Sequence, residues 1–226
     1  MDKKIVIITG SPRRRGNCSH LAASFERRLR ELGYTVTEFD ACSFSASDWS
    51  ESTAYFQGGS RDDDCTAFQQ LLIREIDEAE GVVLVLPVYI YGMPAQMVAA
   101  LDVIGSKVRS GEISGRKKCA LISCCAQKKL SVFNGIKFTF EHLVKAFGWE
   151  NSGELLLTGL WKRADADKHH AVDEAYAFAD KFVSSPSEEE KKAEEKPEEN
   201  NKSKANRLVI ASVADDILPS WIFSGG

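Results

Sequence analysis

Short runs of strand-forming residues alternate with segments of helical periodicity along most of the chain. Five such runs predict β-strands, at residues 4–9, 35–39, 81–86, 118–124 and 154–158. After them, apolar residues recur at helical spacing, which predicts helices at residues 17–32, 63–80, 95–108, 136–147 and 167–183. The run at 81–86 is apolar throughout, as is typical of a parallel strand covered on both faces. This alternation predicts a three-layer α/β domain around a five-stranded parallel sheet.

The pattern changes at two places. Residues 41–62 are rich in Ser, Asp and Gly, which predicts a long loop of the kind that carries function or disorder. After the domain at 1–183, residues 184–207 are mainly Glu, Lys, Ser and Pro, which predicts a disordered charged linker. Apolar residues return in the C-terminal segment 208–226. We expect this segment to dock on its own domain or on a partner subunit. The alternative is an unstructured end with exposed apolar residues.

Composition and charge narrow the class of protein. The chain of 226 residues has 29 basic and 33 acidic residues and a net charge of -4, which argues against nucleic acid as a partner. No run reaches the roughly eighteen apolar residues of a membrane span, and the first residues are expected to form a strand rather than a signal peptide. Six scattered cysteines without a C-x-x-C pair suit free thiols in a reducing cytosol. We therefore expect a cytoplasmic protein with no metal site and no membrane partner.

The segment between the first strand and the first helix, IITGSPRRRGNC (7–18), is built from small, polar and cationic residues. Ligands of parallel sheets bind beyond the carboxyl ends of the strands, and the N–H groups that begin the next helix attract anions. We therefore predict a phosphate site at Ser11, Arg13, Gly16 and Asn17, with a polar turn of solvated arginines as the alternative. The segment lacks the Walker pattern, the G-x-G-x-x-G pattern and the nucleophilic cysteine of a tyrosine-phosphatase loop.

A second loop, LPVYIYGMPAQM (86–97), follows the third strand. In a sheet of order 2-1-3-4-5, this strand lies beside the first one, so the two loops are neighbours. Tyrosines, an isoleucine and outward-facing peptide groups suit the faces and edge of a flat heteroaromatic ring, although aromatic core packing is the alternative. Together the two loops predict a nucleotide-like cofactor with one phosphate. The predicted ring contacts are Pro87, Val88, Tyr89, Ile90, Tyr91 and Gly92.

The stretches GSPRRRGNCSHLA (10–22) and EAEGVVLVLPVYIYGMPAQMVAALD (78–102) resemble the flavodoxin-like NAD(P)H-dependent FMN reductases, especially the branch related to iron–sulfur flavoproteins. The resemblance covers residues 3 to about 182 in element order. It implies a flavodoxin-like fold that binds FMN, with Ser11, Arg13, Gly16 and Asn17 on the phosphate and Cys18 at the helix start. It also implies that residues 87–92 run along the isoalloxazine ring.

Two departures from the family concern cysteines. The family usually has Ser or Thr where this chain has Cys18, and a thiol is a poorer hydrogen-bond donor, so weaker FMN binding is expected. The loop at 41–62 contains only Cys42, although an iron–sulfur cluster needs four cysteines, so no cluster is expected. At the end of the fourth strand, which borders the ring in this architecture, Ser123 and Cys124 are predicted cofactor contacts. Cys124 and Cys125 either pack the strand end or supply an oxidisable thiol near the flavin.

The function predicted from these features is that of an oxidoreductase in which NAD(P)H reduces bound FMN, and FMN passes electrons to a quinone, a free flavin or another small acceptor. Arg14 and Arg15 either attract the phosphates of the nicotinamide cofactor or are simply solvated. No catalytic acid or base is predicted, and a homodimer is expected. One alternative is a flavodoxin-like electron carrier that does not react with pyridine nucleotides. Another is a degenerate member that has lost FMN and serves as an interaction protein.

Overall fold

A computed structural model describes residues 3–43, 67–163 and 165–185 of the chain. Three of the predicted segments lie wholly or mostly outside these ranges: the loop at 41–62, the charged linker at 184–207 and the C-terminal segment at 208–226. In the described part of the chain, no helix is both long and apolar enough to cross a membrane.

A parallel sheet forms the middle layer of the domain. Its five strands lie in the order β2-β1-β3-β4-β5, and every neighbouring pair is parallel. The predicted fold class and strand order are therefore confirmed, and the carboxyl ends of the first and third strands are adjacent. The strands are β1 (Lys4–Thr9), β2 (Thr35–Asp40), β3 (Gly81–Pro87), β4 (Lys118–Cys124) and β5 (Glu150–Leu157).

Helices cover both faces of the sheet, as alternation of strands and helices requires. A short 3-10 helix at Ala41–Ser43 follows β2, and another at Leu130–Phe133 precedes the fourth α-helix. The described α-helices are α1 (Asn17–Glu31), α2 (Ala67–Glu78), α3 (Ala95–Ser110), α4 (Asn134–Ala146), α5 (Asp165–Lys168) and α6 (Ala171–Ser184).

Alternate side chains of each central strand enter two separate cores. In β1, Val6 and Ile8 pack with α2, α3 and α4, whereas Ile5 and Ile7 pack with α1 and α6. All four side chains are fully buried, and burial of each contributes about 1.5–3 kcal/mol. The period of two along the strand thus places one apolar row under each helical layer.

The fifth strand begins earlier than the sequence predicts. The predicted strand at 154–158 spans Glu150–Leu157. The prediction omits its first residues because they are polar and do not form an apolar run. Its pairing with β4 shifts register between Cys119 and Leu121, and Gly153 has a φ of 122°. Such an irregularity places polar residues in an edge strand without the regular alternation that marks a strand in sequence.

The last predicted helix, at 167–183, is two helices. α5 ends at Lys168 and α6 begins at Ala171, because His170 adopts a left-handed conformation with a φ of 57°. The His170 ring nitrogen Nδ1 lies 3.0 Å from Asp173 Oδ2, and its side chain is 86% exposed. A local break of this kind is invisible to helical periodicity, which continues across it.

Candidate functional site

A cavity of about 200 Å³ opens at the carboxyl ends of β1, β3, β4 and β5. Both loops that the sequence singles out contribute to its wall, so the structure brings the predicted phosphate site and the predicted ring site together. The lining residues are Ser11, Arg13, Gly16, Asn17, Cys18, Pro87, Val88, Tyr89, Cys124, Cys125, Ala126, Leu160 and Trp161.

The first turn of α1 suits an anion. Gly16 precedes the helix in an extended conformation, no side chain caps the helix, and its first turn contains no acidic residue. The free N–H groups and the positive end of the helix dipole are therefore available to a ligand. A Cβ at Gly16 would lie 2.9 Å from the carbonyl oxygen of Arg13, so this close turn requires glycine. With Arg13 on the cavity wall, the residues fit a phosphate.

The side chain of Asn17 lies on the cavity wall, but its hydrogen bonds connect it to the loop after β5 and to α5. Its Nδ2 donates to the carbonyl oxygens of Leu160 at 3.3 Å and Lys162 at 3.1 Å, and its Oδ1 accepts from the N–H of Ala166 at 3.1 Å. Asn17 therefore fixes the start of α1 to this loop. Through its side chain it positions the cavity wall, whereas its backbone belongs to the anion-attracting turn.

The second loop forms a tight turn at the cavity. Tyr89 and Gly92 exchange two backbone hydrogen bonds of 3.0 Å, and the intervening Ile90 and Tyr91 have φ values of 50° and 60°. Two successive positive φ values define a type I′ turn, which normally uses Asn and Gly. The pKa of Tyr89 is raised, mainly by burial, so its hydroxyl stays protonated and can donate a hydrogen bond. Pro87, Val88 and Tyr89 thus present an apolar and aromatic wall with one polar tip.

Four predicted contacts are not among the residues that line the cavity. Ile90, Tyr91 and Gly92 form the outer part of the turn, where the Ile90 side chain is 98% exposed. Ser123 is fully buried in β4, and its Oγ donates to the carbonyl oxygen of Leu86 at 2.7 Å. Its hydroxyl therefore links β4 to β3 inside the sheet.

The loop after β5 supplies a further wall, which is not among the predicted site residues. Leu160 and Trp161 line the cavity, and Trp161 is 69% exposed at its edge. The buried Asp165 carboxylate holds this loop, because Oδ2 accepts from the N–H groups of Trp161 at 3.0 Å and Lys162 at 2.6 Å. Its position in the sequence could have indicated Trp161, because it follows a predicted strand and the carboxyl ends of all parallel strands lie at the same edge of the sheet as the cavity.

The size of the cavity limits how a cofactor would fit. Pockets that enclose a ligand are usually about 300–1,000 Å³, so a cavity of about 200 Å³ encloses only part of a molecule as large as FMN. Part of such a molecule would therefore lie outside the cavity, against exposed surface. Among the described residues, no group of three or more His, Cys, Asp and Glu side chains is arranged to hold a metal ion.

Relief of the backbone strain in the turn at 89–92 should stabilise the protein. A β-branched residue at a positive φ is strained by about 1–3 kcal/mol, whereas asparagine tolerates this conformation. Ile90→Asn should therefore raise the free energy of unfolding by about 1 kcal/mol and Tm by about 2–4 °C, measured by thermal unfolding. The control is Val98→Asn, which also removes an exposed apolar side chain, but from the regular helix α3. This variant should have a Tm no higher than that of the unsubstituted protein. An unchanged or lower Tm for Ile90→Asn would show that the turn is not strained.

Comparison with protein families gives a match over residues 3–133 to the family described as NADPH-dependent FMN reductase. This range contains both loops of the cavity. A comparison with curated proteins finds no match.

Solved structures share the fold. An NAD(P)H:quinone oxidoreductase from Methanothermobacter marburgensis is 13% identical, with a TM-score of 0.64 over 82% of this chain and 98% of that one. The Trp repressor binding protein from Bacillus subtilis is 20% identical, with a TM-score of 0.56 over 78% and 99%. An FMN-dependent NADH-azoreductase from Bacillus anthracis, in complex with FMN, is 13% identical, with a TM-score of 0.56 over 80% and 98%. At these identities the likeness establishes a common fold.

Proposed function

We propose, from the premise that this chain belongs to the NADPH-dependent FMN reductase family, that the cavity described above is its FMN site. Family membership makes the protein an oxidoreductase with FMN as its cofactor and NAD(P)H as its reductant. This assignment is supported by the fact that the uncapped start of α1 and the aromatic loop after β3 line one and the same cavity.

Residues at the start of α1 would hold the phosphate. Arg13 supplies a positive charge, Ser11 a hydroxyl, and the first N–H groups of α1 supply directed donors. Ser11 Oγ also accepts a hydrogen bond of 3.3 Å from the N–H of Arg13, which orders the loop between them. Asn17 keeps the start of the helix against the loop that contains Trp161.

Residues of the other walls would orient the ring. Pro87 and Val88 provide an apolar surface, and Tyr89 and Trp161 provide aromatic surface on two sides of the cavity. Bound FMN supplies the hydride and electron transfer chemistry. The protein side chains position the cofactor and leave one side of it open, because the cavity encloses only part of such a molecule.

We propose a quinone as the electron acceptor. A small planar molecule suits the open and aromatic cavity, and the structural neighbour from Methanothermobacter marburgensis is an NAD(P)H:quinone oxidoreductase. The experiment is steady-state oxidation of NADPH by the FMN-loaded protein with a benzoquinone, with free FMN as a second acceptor. Turnover that depends on the quinone supports the proposal. If NADPH bleaches the visible flavin band but the quinone supports no turnover, the quinone is not the acceptor. If bound FMN does not react with NADPH at all, the protein is better explained as an electron carrier.

We also propose a cytoplasmic homodimer. Apolar side chains lie exposed on the turn after β3 and on or beside α4, and a second copy would cover them. The five described cysteines are free thiols, which suits a reducing compartment. The exposed residues concerned are Ile90 at 98%, Tyr91 at 61%, Leu130 at 65% and Phe138 at 63%.

The C-terminal segment 208–226, which lies outside the described residues, is proposed to dock on the folded domain or on its partner copy. α6 ends beside the start of β4, where Lys118 Nζ donates to the carbonyl oxygens of Val183 at 3.1 Å and Ser185 at 2.9 Å. A flexible linker of some twenty residues reaches about 25 Å on average, comparable with the length of the strands. Either end of the sheet is therefore within reach.

Truncation after Ser184 tests this docking. Because burial of each large apolar side chain contributes about 1.5–3 kcal/mol, truncation should lower Tm by about 5 °C or more or convert a dimer into a monomer. The full chain with Trp221→Ser and Phe223→Ser is the matched control, since it retains the linker and should reproduce the effect. If both proteins keep the Tm, the oligomer size and the FMN affinity of the full chain, the segment does not dock.

A further inference from the structure

Two cysteines that are distant in sequence meet beneath the cavity. The Sγ atoms of Cys18, in the first turn of α1, and Cys124, the last residue of β4, are 3.4 Å apart. Both side chains are almost fully buried, with exposures of 3% and 5%, and both line the cavity. The exposure that remains therefore faces the space assigned to the cofactor. Neither thiol has a role in the function proposed above.

We propose that Cys18 and Cys124 are an oxidisable pair that closes to a disulfide when a hydroperoxide enters the empty cavity. In the first step the thiolate of one cysteine attacks the peroxide, the O–O bond breaks, and a sulfenic acid and hydroxide form. In the second step the other thiol attacks this sulfenic sulfur, so that the S–S bond forms and water leaves. Overall, two thiols lose two electrons and two protons, and the peroxide takes them up to give two molecules of water or, for an organic hydroperoxide, water and an alcohol.

The contact between the sulfurs indicates which one reacts first. The pKa of the Cys18 thiol is raised well above its usual value, by its hydrogen bond with Cys124 and by burial. The Cys18 thiol therefore stays protonated, and either sulfur can be the donor in the S–H···S contact between the two. Since the thiolate is the nucleophile, the raised pKa disfavours Cys18 as the group that attacks the peroxide and leaves it for the second step.

The surroundings restrict the oxidant to a small molecule. With exposures of 3% and 5%, neither sulfur can be approached by a bulky disulfide, whereas hydrogen peroxide is close to water in size. A ligand that fills the cavity would shield both sulfurs, because both line it. This shielding rests on the proposed FMN site, but the disulfide itself does not.

Closure of the disulfide would also change the phosphate site. The sulfurs must approach from 3.4 Å to about 2.0 Å, which draws the first turn of α1 towards the end of β4. That turn presents the N–H groups assigned to the phosphate, and hydrogen bonds weaken as their geometry is displaced. The oxidised protein should therefore bind FMN about fivefold or more weakly, in line with the loss of one hydrogen bond.

The neighbouring thiol Cys125 provides a matched control. It lines the same cavity and is similarly buried, at 6%, but its Sγ donates to the carbonyl oxygen of Gln127 at 3.3 Å. Its side chain packs in the core on the opposite face of the sheet from Cys18 and Cys124. Proximity to the cavity alone would make Cys125 equally reactive, whereas the proposed pair would not involve it.

The test is oxidation of the full chain, free of FMN, by hydrogen peroxide, followed by non-reducing intact mass and peptide mapping. We expect a loss of about 2 Da that dithiothreitol reverses, with the peptides of Cys18 and Cys124 linked. Cys125→Ala should behave like the unsubstituted protein, whereas Cys18→Ser and Cys124→Ser should not form the link. No loss of mass, a link through another cysteine (including Cys65, outside the described residues) or irreversible oxidation without a link would overturn the proposal.

Parallel titrations with FMN separate this proposal from the proposed function. Saturating FMN should slow the formation of the disulfide about fivefold or more, because it shields the pair. If FMN binds but leaves this rate unchanged, the sulfurs do not open into the cofactor cavity and the inference is wrong. If the disulfide forms in a protein that does not bind FMN, the proposed FMN site fails and the cysteine pair stands.

Discussion

Replacement of Arg13 by alanine is expected to weaken FMN binding by about 1–3 kcal/mol, which is roughly five- to 150-fold in Kd. Arg13 lies on the cavity wall beside the uncapped start of α1, where a phosphate would accept hydrogen bonds from both. Riboflavin, which has no phosphate, should lose almost no affinity in the same variant. The measurement is a fluorescence-quenching titration with each of the two flavins.

The neighbouring arginine supplies the control for charge. Arg14 belongs to the same loop and is exposed, but it is not among the residues that line the cavity. Arg14→Ala should therefore change the Kd for FMN by much less than Arg13→Ala, although both remove one positive charge. Equal losses of affinity for FMN and riboflavin in Arg13→Ala would show that this loop is not the phosphate site.

A second large effect is expected at Gly135, in the first turn of α4. A Cβ at this position would lie 2.2 Å from the carbonyl oxygen of Tyr91, so Gly135→Ala must push α4 and the turn at 89–92 apart. Overpacking of this kind costs about 1–3 kcal/mol of stability. Because the displaced turn includes Tyr89, which lines the cavity, the variant should bind both FMN and riboflavin about tenfold or more weakly.

The pattern across the two flavins distinguishes this effect from that of Arg13→Ala. Gly135→Ala should weaken both ligands to a similar extent, whereas Arg13→Ala should weaken FMN alone. Glu141→Ala, at an exposed position in the same helix, is the control and should leave both affinities unchanged. If Gly135→Ala lowers Tm but retains wild-type affinity for both flavins, the turn after β3 does not form the ring site.

Much of the fold could be predicted, because continuous apolar runs and helical periodicity report burial directly. β1 and β4 have the bounds that their apolar runs indicate, and the alternation of strands and helices predicts the parallel sheet. The order 2-1-3-4-5 is that of the flavodoxin-like fold, which the resemblance implies. The errors fall where periodicity carries no information. The polar start of β5 at Glu150 and the left-handed residue His170 depend on backbone geometry that no spacing of apolar residues records.

Part of the candidate site could likewise be predicted from the sequence, and part could not. The loops after β1 and β3 could be found because chemistry-bearing residues are concentrated in each of them. The role of the Asn17 side chain could not be found, because its partners, Leu160, Lys162 and Ala166, are more than 140 residues away. The contact between Cys18 and Cys124 is likewise made across 106 residues. Sequence shows which strands end at the same edge, but it does not show which side chains meet there.

We propose that the cavity holds FMN that NADPH reduces. The most direct test of this proposal is the visible spectrum of the purified full chain, loaded with FMN and freed of excess, before and after NADPH is added under anaerobic conditions. We expect a yellow protein whose flavin absorption band disappears on addition of NADPH and returns on addition of a quinone. A colourless protein that does not quench FMN fluorescence at micromolar concentration would contradict it.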